Sequence, residues 1–286
     1  MKTKVLLVGH GSRNKEGNRE IEIFANKWRE MNAQWQIEIC FIEFAEVLLD
    51  AGLDNAAKDA QRVIVVPLIL NAAGHVKMEI PHHIDDARKR HPEVEFVYAR
   101  HLGATDAIHD ILKRNLRKAM MTMDMPDPKN TGVVLLGRGS SDKVANGEVA
   151  KMGRWLFEES DHELVDIAFT GITYPRLETV VQRHVTLGMT QMVILPYYLF
   201  TGTLMERIQR QVERLKQQYP TITFSSASYF GFEKEIYALM TERVTEVLGE
   251  GDTPCNMMEC DGCLYRQEAE EEHHHHHHHH EHDHAH

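Results

Sequence analysis

Short, almost continuous apolar runs alternate with longer segments of mixed polarity along the whole chain. In the first half, the apolar runs that predict β-strands span residues 4–8, 36–41, 63–70 and 94–98. The segments that follow them predict helices over residues 16–31, 47–60, 76–90 and 105–121. Because the strands are apolar throughout and a helix follows each one, the pattern indicates a parallel sheet covered on both faces.

The second half of the chain repeats the first in register. Gly9-His10-Gly11-Ser12 corresponds to Gly137-Arg138-Gly139-Ser140. The same offset pairs Pro92 with Pro220, Phe96 with Phe224, Gly103 with Gly231 and Ile108 with Ile236. We therefore predict an α/β protein of two similar lobes, each a parallel sheet flanked by helices, that arose by internal duplication.

Five parts make up the predicted domain organisation. Residues 1–121 form the N-terminal lobe with the catalytic residues, and residues 132–249 form the second lobe. Between them, residues 122–131 contain two prolines and no periodicity, which is typical of a linker. Residues 250–267 form a cysteine-containing segment, and residues 268–286 form a His-rich tail of low complexity that we expect to be disordered until metal binds.

Three reactive residues follow the first three predicted strands of the N-terminal lobe: His10, Glu43 and His75. In open parallel sheets, ligands bind beyond the carboxyl ends of the strands. The second-lobe counterparts are Arg138, Gly171 and Thr203, none of which carries an imidazole or a carboxylate. The candidate active site therefore belongs to the N-terminal lobe.

Two imidazoles and a carboxylate suit a divalent metal such as Co²⁺, Fe²⁺, Ni²⁺ or Zn²⁺. They also suit proton abstraction, because imidazole titrates near neutral pH. Any one histidine in a loop is more often a polar loop residue than a ligand. The joint position of His10, Glu43 and His75 at strand ends, and their loss in the second lobe, favour a site.

The turn after the first strand does not have the pattern of a nucleotide site. It lacks the third glycine of a dinucleotide fingerprint, and no P-loop occurs elsewhere, so we expect neither ATP nor another nucleotide. Ser12 and Arg13 in this turn are candidates for holding a substrate carboxylate. An alternative role for Ser12 is to cap the helix that follows.

Composition excludes several classes of function. With 42% hydrophobic and 26% charged residues the chain is ordinary for a globular protein, and its net charge of −11 argues against nucleic acid as a partner. No apolar run approaches the roughly 18 residues that a membrane helix needs, and the start of the chain has no signal-peptide pattern. We therefore expect a cytoplasmic protein without a membrane partner. The sequence leaves the oligomeric state open.

A second metal-related signal lies near the C-terminus. Cys255, Cys260 and Cys263 are clustered, and clustered thiols in a reducing compartment favour metal binding over disulfides. An iron–sulfur cluster and a structural zinc site are both open from the spacing alone. Eleven of the 20 histidines lie between His273 and His286, which we interpret as a native metal-collecting tail in preference to an expression tag.

Several motifs together resemble the class II chelatases, and more closely the sirohydrochlorin cobaltochelatases of cobalamin synthesis. They are Gly-His-Gly-Ser-Arg at 9–13, Phe-Ile-Glu-Phe-Ala at 41–45, Val-Pro-Leu at 66–68, Gly-His-Val at 74–76 and Glu-Ile-Pro at 79–81. The resemblance implies ATP-independent insertion of Co²⁺ into sirohydrochlorin with release of two protons. It places the metal-binding catalytic histidines at His10 and His75 and the active-site acid at Glu43.

The resemblance extends beyond these three residues. It implies that the second lobe closes over the macrocycle through residues 196–204, and that Arg13 and Arg138 pair with its acetate and propionate groups. The motif at 258–263 and the His-rich tail are similar to the long form of the enzyme, which implies a [4Fe–4S] cluster on Cys260 and Cys263. Cys255 is our candidate third ligand, and the fourth is not identified. Val47 departs from the family, which often has proline there.

Other functions remain open at this point. Iron insertion into the same macrocycle, as a sirohydrochlorin ferrochelatase, would use the same ligands. A His-rich metal-storage protein or metallochaperone would make the tail the functional part and the lobes a scaffold. A two-lobed binding protein is the third alternative, weakened by the missing signal-peptide pattern.

Overall fold

The computed structural model describes residues 2–249. The predicted cysteine segment at 250–267, with Cys255, Cys260 and Cys263, and the predicted tail at 268–286 lie outside the described residues. The predictions made for these parts therefore rest on the sequence alone.

The first half of the chain forms a parallel sheet of four strands in the order β2-β1-β3-β4. Its strands are β1 (Thr3–Gly9), β2 (Gln36–Phe41), β3 (Arg62–Pro67) and β4 (Glu95–Tyr98). Its helices are α1 (Lys15–Met31), α2 (Leu49–Ala57), α3 (Ile80–Arg90) and α4 (Asp106–Met120), and a π-helical turn, His75–Glu79, leads into α3. The third strand is shorter than predicted: it ends at Pro67, and residues 68–70 lead from it into the loop before the π-helical turn.

The second half repeats this arrangement in the order β6-β5-β7-β8. Its strands are β5 (Thr131–Gly137), β6 (Leu164–Phe169), β7 (Gln191–Pro196) and β8 (Thr223–Ser226), and its helices are α5 (Lys143–Glu158), α6 (Leu177–Thr186), α7 (Thr203–Gln218) and α8 (Lys234–Leu248). The predicted α/β class and the duplication are confirmed. Within residues 2–249, no helix combines the length and apolar character that crossing a membrane requires.

The last helix of each half packs on the sheet of the other half. Helix α4 contacts β7, β8 and α5, and helix α8 contacts β3 and α4. Trp28 of α1 donates a hydrogen bond from Nε1 to Thr241 Oγ1 of α8 at 3.0 Å. Arg243 of α8, also buried, donates to the carbonyls of His101 and Leu102. One continuous apolar core therefore runs through both lobes.

Two glycines allow the loops after neighbouring strands to approach each other closely. Gly11 has φ +91°, and a Cβ atom there would lie 1.7 Å from the carbonyl oxygen of Glu43. Gly139 has φ +89°, and its Cβ would lie 2.2 Å from the carbonyl oxygen of Gly171. Only glycine fits both requirements, a left-handed backbone and direct contact with another backbone segment. These turns bring the loops that follow the first two strands of each sheet together.

Polar contacts join the two lobes near the π-helical turn. Lys77 of this turn pairs with Asp142, the residue that caps helix α5, and both side chains are largely buried. Glu148 of α5 accepts hydrogen bonds from the backbone N–H of Ala72 at 3.2 Å and pairs with Nε2 of His101 at 3.0 Å. The turn that carries His75 is thereby attached to the second lobe.

Replacing Lys77 by methionine is expected to lower the free energy of unfolding by about 2 kcal/mol at pH 7. Burial raises the pKa of the Asp142 carboxyl, but hydrogen bonds from Lys77 and from the backbone N–H of Val144 outweigh it, so the pKa is lowered overall. A lowered folded-state pKa adds stability above the unfolded pKa, and this stability is lost as the pH falls through the folded-state value. The difference between K77M and the wild type should therefore shrink below about pH 4.

Urea denaturation at pH 7 and at acidic pH measures this difference. The matched control is K216M, which removes an exposed ion pair with Glu213 and should change stability by less than about 1 kcal/mol. Equal stability of K77M and the wild type at pH 7 would show that the contact between Lys77 and Asp142 contributes nothing.

Candidate active site

A cleft of about 1700 Å³ lies between the lobes, at the carboxyl ends of the strands of both sheets. The predicted site residues within the described chain all line it: His10, Ser12, Arg13, Glu43, His75 and Arg138. The structure thus brings together in one cavity residues that are far apart in sequence. Their individual roles follow from their contacts.

His10 follows strand β1 and has one ring nitrogen engaged and the other unengaged. Its Nδ1 lies 3.0 Å from the carbonyl oxygen of Gly11, an acceptor, so we assign the proton to Nδ1. Its Nε2 is buried and has no hydrogen-bond partner among residues 2–249. In this tautomer Nε2 carries an unprotonated lone pair, which can bind a metal ion or accept a proton.

His75 is the first residue of the π-helical turn, and its Nδ1 is in contact with the carboxylate of Glu79. The carboxylate accepts a hydrogen bond from Nδ1–H, which leaves Nε2 as the unprotonated ring nitrogen. A histidine that donates one N–H to a carboxylate or carbonyl and offers the other nitrogen is the usual arrangement of a metal ligand. π-Helical turns are rare and occur frequently at functional sites.

Glu79 was not among the predicted site residues, although the motif that contains it was noted. The available signal was its spacing, because residues four apart lie on the same face of a helix. That spacing is shared by many surface pairs, so the sequence alone does not distinguish an orienting carboxylate from a solvated one. Helix α7 of the second lobe begins at Thr203 without a π-helical turn, and it has Arg207 at the position equivalent to Glu79.

The imidazoles of His10 and His75 are in direct contact on the first-lobe wall of the cleft. Their ring centroids are 4.7 Å apart and the rings are nearly perpendicular, at 88°. Burial holds the pKa of His10 below its ordinary value of 6.5, and His75 and Arg138 lower it further, whereas the Gly11 carbonyl and Glu43 act in the opposite direction. His10 is therefore neutral at pH 7, which is the form that binds metal.

Glu43 lies beside this pair, with Oε1 3.6 Å from Nδ1 of His10. Its side chain is 40% exposed, so the carboxylate is in contact with the solvent of the cleft. Within the described part of the chain, no group of three or more His, Cys, Asp or Glu side chains is arranged so that it could hold a metal ion. The two imidazoles and Glu43 thus share one wall of the cleft without forming a closed set of ligands.

Ser12 and Arg13 have contacts of their own within the turn after β1. The Ser12 hydroxyl accepts a hydrogen bond from the backbone N–H of Asn14 at 3.1 Å, and Asn14, rather than Ser12, caps helix α1. The guanidinium of Arg13 lies over the ring of Phe44, 4.9 Å from its centroid. Both residues face the cleft, and Arg13 is exposed and able to meet an anion there.

The second lobe contributes a different wall. Arg138, at the position equivalent to His10, is exposed and has no ion pair among residues 2–249. Residues 197–205 line the cleft beside it. The hydroxyl of Tyr198 is hydrogen-bonded to Thr170 at 2.8 Å, and burial raises the pKa of Tyr198 to about 12, so it stays a neutral phenol. This wall offers positive charge and aromatic surface where the first lobe offers imidazoles.

Comparison with known proteins gives consistent matches. The CbiX family matches the chain twice, over residues 4–119 and 132–247. A sirohydrochlorin cobaltochelatase from Priestia megaterium is 41% identical over 263 residues, which cover 92% of this chain and 84% of that protein. A sirohydrochlorin ferrochelatase from Bacillus subtilis is 30% identical over 272 residues, which cover 94% of this chain and 100% of that protein.

Among solved structures, SirB from Bacillus subtilis with Fe³⁺ superimposes with a TM-score of 0.75 at 31% sequence identity. The match covers 88% of this chain and 98% of that chain. Both halves of the fold, and not only one lobe, are therefore shared with this protein.

Proposed function

The chain belongs to the CbiX family, and from that membership we propose that it is a sirohydrochlorin cobaltochelatase, which inserts Co²⁺ into sirohydrochlorin in cobalamin biosynthesis. It is accordingly a lyase of the chelatase type, and its substrates are a tetrapyrrole and a divalent metal ion. Insertion breaks two pyrrole N–H bonds and forms bonds from the ring nitrogens to the metal, so two protons leave for each Co²⁺ that enters.

One observation carries the assignment of the site: the buried Nε2 of His10, without a hydrogen-bond partner among residues 2–249, beside the imidazole of His75. A buried imidazole nitrogen that lacks a partner is costly unless a ligand uses it. Imidazole nitrogens suit Co²⁺ and can also accept protons. We assign His10 and His75 jointly to metal delivery and proton acceptance.

Glu43 and Glu79 complete the proposed machinery. Glu43, beside His10, orients the metal ion or receives a proton, and its contact with solvent gives that proton a way out of the cleft. Glu79 is a positioning residue, because it acts on the metal only through His75. The open arrangement suits a metal ion that must leave for the ring, whereas a closed tetrahedral set would retain it.

Arg13 and Arg138 are the proposed partners of the acetate and propionate groups of the macrocycle. Both line the cleft, one from each lobe, and guanidinium groups bind carboxylates through paired hydrogen bonds. The positive charge of Arg138 also opposes protonation of His10. The cation at position 138 therefore has two proposed effects. It binds a carboxylate of the ring, and in the free protein it favours the neutral, metal-binding form of His10.

Cobalt is favoured over iron by the relatives, since the cobaltochelatase match has the higher identity, 41% against 30%. Iron insertion is the second candidate function, supported by the ferrochelatase relative and by the superposition on SirB with Fe³⁺. Imidazole and carboxylate ligands accept both metals, so the residues of the cleft do not discriminate between them.

Anaerobic optical titration of the full-length chain with sirohydrochlorin, followed by Co²⁺ or Fe²⁺, tests the proposal. We expect the absorbance change of metal insertion with both ions and a higher kcat/KM with Co²⁺. A higher value with Fe²⁺ would move the assignment to the ferrochelatase. The same assay on a chain ending at Ala269 separates enzyme from metal carrier: turnover by both chains supports the enzyme, and binding of many metal ions without turnover supports storage or delivery.

The iron–sulfur cluster stays a prediction from the sequence. Its proposed ligands, Cys260 and Cys263 with Cys255 as the third, lie outside the described residues, and the zinc alternative remains open. The same holds for the metal-collecting role of residues 268–286 and for the cytoplasmic location. The proposed reaction requires none of them, because the residues that we assign to the chemistry all lie within 2–249.

A further inference from the structure

Two large apolar residues on the rim of the cleft have a backbone conformation that such residues rarely adopt. Phe44 has φ +53° and Ile172 has φ +64°. The left-handed region is strained for side chains other than those of Gly, Asn and Asp, and a β-branched residue there is a clear outlier. The two positions are related by the offset of the duplication, so the same unusual feature occurs once in each lobe.

Neither residue belongs to the buried apolar core. Ile172 is 58% exposed and Phe44 is 45% exposed, and both line the cleft. Asn or Gly would occupy the same backbone conformation with less strain, and either would be more polar or smaller at an exposed position. The structure therefore keeps two strained, solvent-exposed apolar side chains where a smaller or polar residue would be more stable.

Surrounding hydrogen bonds hold this conformation in place. The backbone N–H of Glu43 donates to the His10 carbonyl at 3.1 Å, and Asn18 Nδ2 donates to the Phe44 carbonyl at 2.7 Å. In the second lobe, the N–H of Gly171 donates to the Arg138 carbonyl at 3.0 Å. In each lobe, the strained residue therefore comes immediately after the residue whose N–H is hydrogen-bonded to the carbonyl of His10 or Arg138. Strain kept by such contacts is frequent at ligand clamps.

The chemistry around Phe44 indicates what it contacts. The Arg13 guanidinium lies over one face of its ring, 4.9 Å from the centroid, so an aromatic side chain and a cation are in contact on the rim. Ile172 lines the same cavity as the exposed Arg138 of its own lobe. A ligand that matches both pairs has a flat apolar body and an anionic edge.

We propose that Phe44 and Ile172 form a pair of apolar contacts, one from each lobe, on which the ring of the tetrapyrrole rests, with Arg13 beside Phe44 at its anionic edge. The inference rests on the proposed function for the identity of the ring. It adds the residues that position the macrocycle, one of which belongs to the lobe without the metal-binding histidines. Because an apolar contact strengthens binding without taking part in proton transfer, its removal should affect binding and leave the chemical step unchanged.

The test uses the full-length variants Phe44→Asn and Ile172→Asn. Asparagine tolerates the left-handed backbone, so each variant should unfold at a urea midpoint equal to or above that of the wild type. Fluorescence titration with sirohydrochlorin in the absence of metal should show the Kd raised by about 10-fold for each variant, the effect of losing one buried apolar side chain. In the insertion assay KM should rise while kcat at saturating sirohydrochlorin is unchanged.

Two kinds of control accompany these variants. Among residues 2–249, the other two non-glycine residues with positive φ are Asp59 and Met125, and neither lines the cleft. Met125→Asn and Asp59→Asn should therefore leave sirohydrochlorin binding unaltered. Ile172→Leu keeps an apolar side chain and should bind with a Kd within about threefold of the wild type. If either asparagine variant fails to fold, Phe44→Gly and Ile172→Gly repeat the measurement with a residue that adopts this φ freely.

The outcomes separate this inference from the function on which it rests. Wild-type binding with weakened binding by the asparagine variants supports both. Equal binding by the wild type and by both variants overturns the proposed contacts and leaves the chelatase assignment intact. Absence of sirohydrochlorin binding by the wild type overturns the proposed function, and the inference with it. A kcat reduced in proportion to the loss of binding would place these residues in the chemistry and contradict a positioning role.

Discussion

Replacing His75 by alanine is expected to lower the rate of metal insertion by at least about 100-fold, because general acid–base groups contribute on this scale. The same loss is expected for His10→Ala. Each change removes one of the two Nε2 atoms that we assign to metal binding and proton acceptance, in rings whose centroids are 4.7 Å apart. Sirohydrochlorin binding should be nearly unchanged, since neither imidazole is assigned to the carboxylates or to the ring. Stopped-flow absorbance under single-turnover conditions measures the insertion step directly.

The duplication provides the matched control. Thr203 lies in the second lobe at the position equivalent to His75, lines the same cleft and begins helix α7. Thr203→Ala should retain insertion within about threefold of the wild-type rate, because no step of the chemistry is assigned to it. Near wild-type rates for both histidine variants would show that proton transfer and metal delivery use other groups.

The second large effect concerns stability. Phe24→Ala should lower the free energy of unfolding by about 3 to 5 kcal/mol, the range for removing a buried aromatic side chain. Phe24 is 0% exposed, and its ring stacks on that of Tyr237 in helix α8, with centroids 4.1 Å apart and planes at 5°. It also meets Phe200 of the cleft edge-on at 5.8 Å. The substitution therefore opens a cavity where α1, α8 and the second-lobe wall of the cleft meet.

Urea denaturation followed by circular dichroism measures this loss. Phe157→Ala on helix α5 is the control, because its side chain is 37% exposed and should cost well under half as much. A loss below about 1 kcal/mol for Phe24→Ala would mean that the surrounding helices close the cavity completely. In that case the stacked pair of aromatic rings would contribute little to the packing of α1 against α8.

The duplication and the succession of strands and helices were predictable from the sequence because each is a local or repeated pattern. Continuous apolar strands specify a doubly covered parallel sheet whatever surrounds it, and the shared offset makes the second half a copy of the first. The convergence of His10, Glu43 and His75 on one cleft also followed, since the carboxyl ends of parallel strands meet at one edge of a sheet.

The exchange of the helices α4 and α8 was not predictable in the same way. An amphipathic pattern specifies which face of a helix is buried but not which sheet covers it. Either sheet presents an equally apolar surface to such a helix, so the choice depends on loop geometry and on contacts such as Trp28 with Thr241. The spatial lobes therefore differ from the contiguous halves of the chain.

The π-helical turn and the strained rim residues were missed for a related reason. Residues 76–90 have an ordinary helical pattern, and the insertion of one residue into a turn has no periodic signature. Phe44 and Ile172 are apolar residues three positions beyond the ends of β2 and β6, and burial is the expected role of such residues. Only their backbone angles and exposure distinguish them from core residues.

The exchange of helices also has a consequence for the order of synthesis. Strands β1 to β4 leave the ribosome first, but one face of their sheet is completed by α8, which begins only at Lys234. The second sheet, in turn, needs α4 from the first half. Domains normally fold one after another as they emerge, N-terminal first. Here neither lobe can close its core until α8 has been translated, so both are expected to mature in a single late step.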